Sequence, residues 1–455
     1  MPVSRRLLSK IVFAFSMAAG IAQAGLCQTA GPLSINEAIS LGRVHHPQGA
    51  AADAQQEQAR AQLQQAKARR LPTLSAAEDM TYSDDPVFVF GSKLRQGRFG
   101  TSDFDLGALN HPPPLSNFSA SATAAWTAFD GGSTRQQVDS ARTSLAAAEL
   151  NARYSEEQIA SEITRLYYRV LLAQDQVAVA ESALKRAREI ASDIQDRVHS
   201  GLSLESDGLR SNLALRNAED DLASARSNVV LARHDLFAAI GIPQTDRPLV
   251  YPDVHTTIAT AELLTPIHSP DARFDLQALR LQQQAAKQTF ASIHATAWPQ
   301  VSTYGHVEND AEHLVTDGSG NWTIGAKVEM RVFDGGTRRA QEHEAEAREH
   351  LLAAQERETA LAARAAIASL TQQMDDLHRR FDTADDAIRV QQEALLTARD
   401  RYATGLASIT DVLSGESDLS SAEFARARLF YQLCIARTEL ALASGSPLTS
   451  KVGQP

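Results

Sequence analysis

Phe129-Asp130-Gly131-Gly132 recurs as Phe333-Asp334-Gly335-Gly336. Two more landmarks recur with it. Arg197-Val198-His199-Ser200-Gly201-Leu202 returns as Arg401-Tyr402-Ala403-Thr404-Gly405-Leu406, and Gly241-Ile242-Pro243 returns as Gly445-Ser446-Pro447. Every copy lies 204 positions beyond its original: 130 to 334, 201 to 405, 241 to 445. Three landmarks in one register mean that one long unit occurs twice. A period of this size marks duplication of a whole structural arm, not a solenoid of short units.

A helical run succeeds each Phe-Asp-Gly-Gly. After Gly132, about 70 residues pass without proline or glycine, ending at Gly201. Leu166, Val170, Ala173, Val177, Ala180, Leu184, Ala187, Ala191, Ile194 and Val198 alternate spacings of 4 and 3, a heptad seam of the kind that packs helices as a coiled coil. Shifting by 204 gives Leu370, Met374, Leu377, Phe381, Ala384, Ile388, Gln391, Leu395, Ala398 and Tyr402, and only Gln391 breaks the apolar pattern. A helix of about 70 residues is roughly 105 Å long, too long for a globular domain. Shorter runs flank it, at about 35–70 and from Gly201 to Gly241 in the first half, and at about 271–297 and 406–443 in the second. Each short pair sums to roughly the length of the long helix. The expected assembly is a long rod beside two shorter rods stacked in line, twice over.

Two segments before the Phe-Asp-Gly-Gly junctions switch to a period of two. Phe118, Ala120, Ala122, Ala124, Trp126 and Ala128 alternate with Ser119, Ser121, Thr123, Ala125 and Thr127. In the second half Trp322, Ile324, Ala326, Val328, Met330 and Val332 alternate with Thr323, Gly325, Lys327, Glu329 and Arg331. One face suits lipid and the other water, over about 11 residues, the length of a tilted strand crossing a bilayer. Weaker partner strands begin after Pro72 (Thr73 to Tyr82) and Pro299 (Gln300 to Val307). The loop joining the first pair is long and carries Phe88, Phe90, Phe99, Phe104 and Pro112-Pro113-Pro114; it is expected to face outside. Four strands cannot close a transmembrane barrel, and an open sheet edge is not viable in lipid. Three copies would supply twelve strands, an even number within the usual range.

The N-terminus reads as an address. Arg5, Arg6 and Lys10 precede the apolar run from Ile11 to Ala19, and Ala22-Gln23-Ala24 closes it, so 1–24 is expected to be a secretory signal peptide. Cys27 could carry lipid, although Leu26 stands where a small residue is usual, and Cys434 lies in an apolar helical stretch. The formal charge of −11 and the lack of a basic patch argue against nucleic-acid binding. The domains expected are 25–245 and 246–447, each a helix, a β-hairpin, a long helix and a short helix, then a tail, 448–455.

The doubled strand-Phe-Asp-Gly-Gly-helix junction, the doubled Arg-x-x-x-Gly-Leu turn and Asp411-Val412-Leu413 together resemble the TolC-like outer-membrane efflux protein family, over nearly the whole mature chain. The resemblance implies a mainly α protein with transmembrane β structure: a homotrimeric 12-stranded barrel in the outer membrane, continued by an α-helical barrel across the periplasm. It implies an exit duct for tripartite efflux pumps or type I secretion systems, with a periplasmic adaptor (membrane fusion protein) and an inner-membrane transporter as partners. By the same resemblance the helical tip closes through acidic residues beyond the second turn, tied by a nearby Tyr. Tyr402 and Asp411 match those positions, and Asp207 is the repeat-equivalent of Asp411. A second acidic position falls on Ser414, a departure, which leaves Glu416 as a substitute. Gly201, Leu202, Gly405 and Leu406 match the adaptor-docking tips. Phe129 and Phe333 sit at the strand-helix junctions with Asp130 and Asp334, where an interfacial aromatic girdle is expected.

Catalytic chemistry is not expected. His343 and His350 lie seven apart on a charged helix and do not make the His-Glu-x-x-His pattern. There is no Walker loop and no dinucleotide fingerprint, so neither an enzyme nor a cofactor or metal site is expected, and transport would be passive. The competing reading is a secreted coiled-coil scaffold or adaptor. It accounts for the heptads but not for the four two-faced segments.

Overall fold

The computed structural model describes residues 31–252, 269–314 and 318–446. The expected signal peptide, Cys27 and the tail 448–455 lie outside the described residues. In chain order come α1 (Ile35–His45), α2 (Pro47–Ala68), β1 (Thr73–Ser83), α3 (Pro86–Arg95), a 3-10 turn (Thr101–Phe104), α4 (Leu106–Asn110), β2 (Leu115–Phe129), α5 (Ser133–His199) and α6 (Glu205–Ile240). The second half holds α7 (Phe274–Ala295), β3 (Gln300–Ala311), β4 (Ser319–Glu329), α8 (Thr337–Ala403) and α9 (Ile409–Ser444).

The duplication is plain in the helices. α5 and α8 are each 67 residues and α6 and α9 each 36. At 1.5 Å per residue the long pair span about 100 Å. α2 and α6 both pack along α5, and α7 and α9 along α8, while α7 and α9 also touch α5, so the repeats share one body. The stacked rods abut where glycine makes room. A Cβ on Gly241 would lie 2.7 Å from the His45 carbonyl oxygen, and one on Gly445 2.6 Å from the Arg273 amide nitrogen. The heptad seams face inward: Leu166, Val170, Leu184, Ala191 and Ile194 are buried in α5, as are Leu377, Phe381, Ala384 and Leu395 in α8.

Two apolar clusters hold the rods together. The larger gathers Leu33, Ile39, Ile163, Tyr167, Leu236, Phe237, Phe381 and Phe430 from both repeats. Burial moves Tyr167 up to a pKa of about 12, and its ring hydroxyl lies 2.8 and 2.9 Å from the Leu33 and Val250 carbonyl oxygens. The smaller cluster, towards the Gly201 and Gly405 turns, joins Ile190 and Ile194 to Leu395, Ile409, Val412 and Leu419.

One expectation fails at the start of the chain. The run at about 35–70 is two helices, not one. His46 is extended (φ −70°, ψ 129°) and Pro47 opens α2, because proline lacks the N–H that would continue α1 and pushes the residue before it out of the helical region.

The four strands form one antiparallel meander, ordered β1-β2-β3-β4. Ala122 pairs with Ala76 on one side and Val307 on the other, and Val307 with Trp322. That register puts Leu74, Ala76, Met80, Phe118, Ala124, Trp126, Val307, Trp322, Ile324 and Val328 on one face. Thr73, Ser75, Asn117, Ser119, Thr123, His306, Glu308 and Asp310 fall on the other. The apolar face stays exposed, with Leu74 at 79% and Ile324 at 78%. The polar face is cross-linked: Ser119 donates to Glu308 at 2.6 Å, and Thr123 Oγ1 lies 2.9 Å from His306 Nδ1. β4 stops at Glu329, short of the expected Met330 and Val332, because its partner begins at Gln300, opposite Glu329, and Pro299 has no N–H to extend the ladder.

Candidate functional site

The Phe-Asp-Gly-Gly motif is a strand-to-helix corner. Asp130 accepts the Gly132 amide at 3.1 Å and the Thr134 amide at 2.7 Å. Asp334 does the same for Gly336 and Arg338, both at 2.9 Å. Each carboxylate thus caps donors that the first turn of a long helix would leave unpaired. The Arg338 amide, then that of Gly336, holds the Asp334 carboxyl below the usual carboxylate range. Gly131, Gly132, Gly335 and Gly336 all have positive φ, between 66° and 90°. Phe129 and Phe333 remain exposed beside the corner, with Trp126 and Trp298. The Trp126 indole donates to the Arg70 carbonyl at 2.9 Å, which fixes its ring where sheet meets helices.

At the far end of the rods, each Arg-x-x-x-Gly-Leu sequence closes its long helix. The Leu202 amide donates to the Arg197 carbonyl at 2.8 Å and the Leu406 amide to Arg401 at 2.7 Å. Gly201 and Gly405 sit at φ 72° and 79°. This is the helix-ending geometry that positive φ permits and glycine adopts at least cost. Leu202 and Leu406 stand about as exposed as each other, at 71% and 72%.

The two turns are tied together. Tyr402 donates to Asp207 Oδ2 at 3.4 Å, and its hydroxyl lies 3.0 Å from Ser203 Oγ. The Arg197 guanidinium sits 5.4 Å from the Tyr402 ring centre and donates to the Ala403 carbonyl at 3.1 Å. Arg210 donates to Thr410 at 2.8 Å. Tyr402 is therefore brought to Asp207, not to Asp411. Asp411 caps its own helix: its carboxylate accepts the Ser408 amide at 2.8 Å and the Ser408 hydroxyl at 2.9 Å, and the Ser408 hydroxyl in turn accepts the Asp411 amide at 3.3 Å. The Ser408 amide, then its hydroxyl, holds the Asp411 carboxyl below its ordinary range. Asp411 is exposed and Ser414 close to it on the same helix is exposed as well.

Glu416, the substitute acid, does not stand free. It is buried, accepts from Arg186 at 2.5 Å, and has Arg399 3.8 Å away. Arg186 also reaches Ser420 and Glu423 at 3.1 and 3.2 Å. Sequence reading missed Arg186, Arg197, Ser203, Arg210 and Thr410. Their partners lie roughly 200 residues away in sequence, and only the shared repeat register could have suggested looking there.

The family model described as outer membrane efflux protein matches residues 38–242 and 271–446. A probable outer membrane lipoprotein, SilC of Salmonella typhimurium, is 23% identical over 378 residues, 80% of this chain and 75% of its own length. The pyoverdine export outer membrane protein OpmQ of Pseudomonas putida is 24% identical over 363 residues, 76% and 74% of the two chains. Among solved structures, the outer membrane protein VceC of Vibrio cholerae superposes with a TM-score of 0.74 at 22% identity, covering 90% of this chain and 96% of that one.

Proposed function

We propose, for a chain that belongs to the outer membrane efflux protein family, a passive duct closed at its helical tip by Asp207, Tyr402 and Asp411. The chain is an outer-membrane exit duct with a periplasmic helical barrel. Members of the family generally trimerise and work with adaptors and inner-membrane pumps.

One observation carries the reading furthest. The meander has an exposed apolar face, a hydrogen-bonded polar face and, among the described residues, two unpaired edges, β1 and β4, at the end of rods about 100 Å long. Unpaired edges cannot face lipid, so further copies must pair with them, and three copies make a closed twelve-stranded barrel. Trimerisation would then bring three copies of Asp207 and Asp411 towards one axis, where focused negative charge favours cations. The Tyr402–Asp207 and Tyr402–Ser203 bonds would hold the two hairpins of each protomer together while the tip is closed. Exposed Leu202 and Leu406, displayed by paired turns, would be the surface an adaptor grips, and an inner-membrane transporter would supply the energy.

The test is single-channel recording of detergent-purified protein in a planar bilayer, with a divalent cation added from the helical side. Discrete cation-selective steps blocked by the divalent support both duct and acidic gate. Steps without block sink the acidic gate alone. A protein that stays soluble without detergent and conducts nothing sinks the duct and returns the coiled-coil scaffold.

A further inference from the structure

The segment between β1 and β2 does not extend away from the sheet. Asp85 caps α3 by accepting the Phe88 amide at 2.8 Å. Phe99 packs edge-on against Phe90 and Phe104, with ring centres 4.8 and 5.2 Å apart, and Lys93 pairs with Asp103 at 2.7 Å. This small folded body lies on the polar face of the sheet. Along β2, Leu115, Asn117 and Ser119 are buried in alternation, while Met80, Tyr82 and Trp322 on the opposite face stay exposed.

Its attachment is specific. Glu308 and Asp310 occupy alternate positions at the end of β3, so their side chains share a face, and Glu312 follows just past the strand. Arg95 approaches Glu308 at 3.6 Å and Arg98 pairs with Glu312. Between them, Gln96 donates to Asn117 at 2.8 Å, and Asn117 donates to Asp310 at 2.6 Å. Asp310 is fully buried. Two same-face acids of β3, and Glu312 just beyond it, are thus stitched to the one inserted body.

We propose that residues 84–114 form a plug over the outer mouth of the duct, latched to β2 and to the end of β3 through Arg95, Gln96 and Arg98. The proposal rests on the reading that the polar face lines the duct. The insert leaves β1 at the end away from the helices, which is the outer end of a barrel whose helices stand in the periplasm. With the apolar face to lipid, the face it covers is the water-filled one. It would narrow the exit and remove acidic charge from it by pairing Glu308 and Glu312 with arginines.

The test is labelling of full-length protein in intact cells by a membrane-impermeant maleimide, measured above the parent. Ser121 is on the polar face, just below the covered residues, and its neighbour Ala122 is on the apolar face. Ser121→Cys is expected to label slowly. Adding Arg95→Glu and Arg98→Glu is expected to speed labelling several-fold, and further adding Glu308→Arg and Glu312→Arg to slow it again. Leu106→Cys, on the insert's exposed surface, reports that the protein reached the cell surface and should label throughout. Fast labelling of Ser121→Cys with the latch intact, or no acceleration when it is broken, overturns the plug. Labelling of Ala122→Cys at the rate of Leu106→Cys would instead overturn the membrane barrel on which it rests.

Discussion

Arg186 donates to Glu416 at 2.5 Å, joining the long helix of the first repeat to the short helix beyond the second turn. Both side chains are largely buried, and Glu423 shares the same guanidinium. Removing one member of a buried ion pair costs roughly 3–5 kcal/mol, because the other charge is left uncompensated. Arg186→Met would leave Glu416 and Glu423 facing each other, with only Arg399 near Glu416. Glu416→Gln keeps Arg186 paired with Glu423. The arginine variant is expected to be the less stable, and Glu416→Gln to recover part of the loss when combined with it. A double-mutant cycle on thermal midpoints checks this; equal, additive losses would contradict it.

Tyr402→Phe removes one hydroxyl that serves both Asp207 and Ser203 and leaves the ring under Arg197. A hydrogen bond contributes roughly 0.5–1.5 kcal/mol, about two- to tenfold in an equilibrium. If the tip closes through this hydroxyl, open probability in planar bilayers should rise by about that factor, with unit conductance unchanged. Asp207→Asn, which can still accept from Tyr402, should move it less. A larger effect from Asp207→Asn would point to pore charge and not to the tie between the turns.

Asp334 and Asp411 both have carboxyls held below their ordinary range by backbone N–H donors. Their contribution is therefore complete above the unfolded-state value of about 3.9 and is lost as pH falls through the folded-state value. Asp334→Asn and Asp411→Asn are expected to lower neutral-pH stability modestly, because Asn keeps the hydrogen bonds but not the charge that strengthens them. Both should flatten the loss of stability below about pH 4. Thermal melts across acid pH test this; an unchanged acid slope would mean that neither carboxylate contributes to it.

Gly131 and Gly335 are the same motif position, at φ 68° and 66°. A Cβ on Gly131 would lie 2.6 Å from the Ala295 carbonyl oxygen and 2.7 Å from Trp298 Cβ, whereas one on Gly335 meets nothing within 4 Å. Alanine pays about 1–2 kcal/mol for the left-handed backbone at either site. Only Gly131→Ala also forces backbone apart, so it should be distinctly the more damaging in heat resistance of the assembled protein. Equal losses would show that backbone strain alone governs this corner.

The sequence by itself determined the duplication, the rod lengths and the two-faced strands. A heptad seam and a period of two state which side of each element is apolar, and that comes directly from helical and strand geometry. The Phe-Asp-Gly-Gly and Arg-x-x-x-Gly-Leu landmarks were legible because glycine at positive φ and a capping Asp solve a local problem in a few adjacent residues. The break at Pro47 is a local signal of the same kind, written in the missing N–H of one proline. Tertiary structure alone decided which distant side chains meet. It gave Tyr402 to Asp207 and left Asp411 to its own helix cap. It buried Glu416 against Arg186, and it folded the aromatic insert onto the polar face of the sheet over Glu308 and Asp310. These outcomes depend on how the two arms lie against each other. Local chemistry, the same in both repeats at Gly131 and Gly335, cannot specify that.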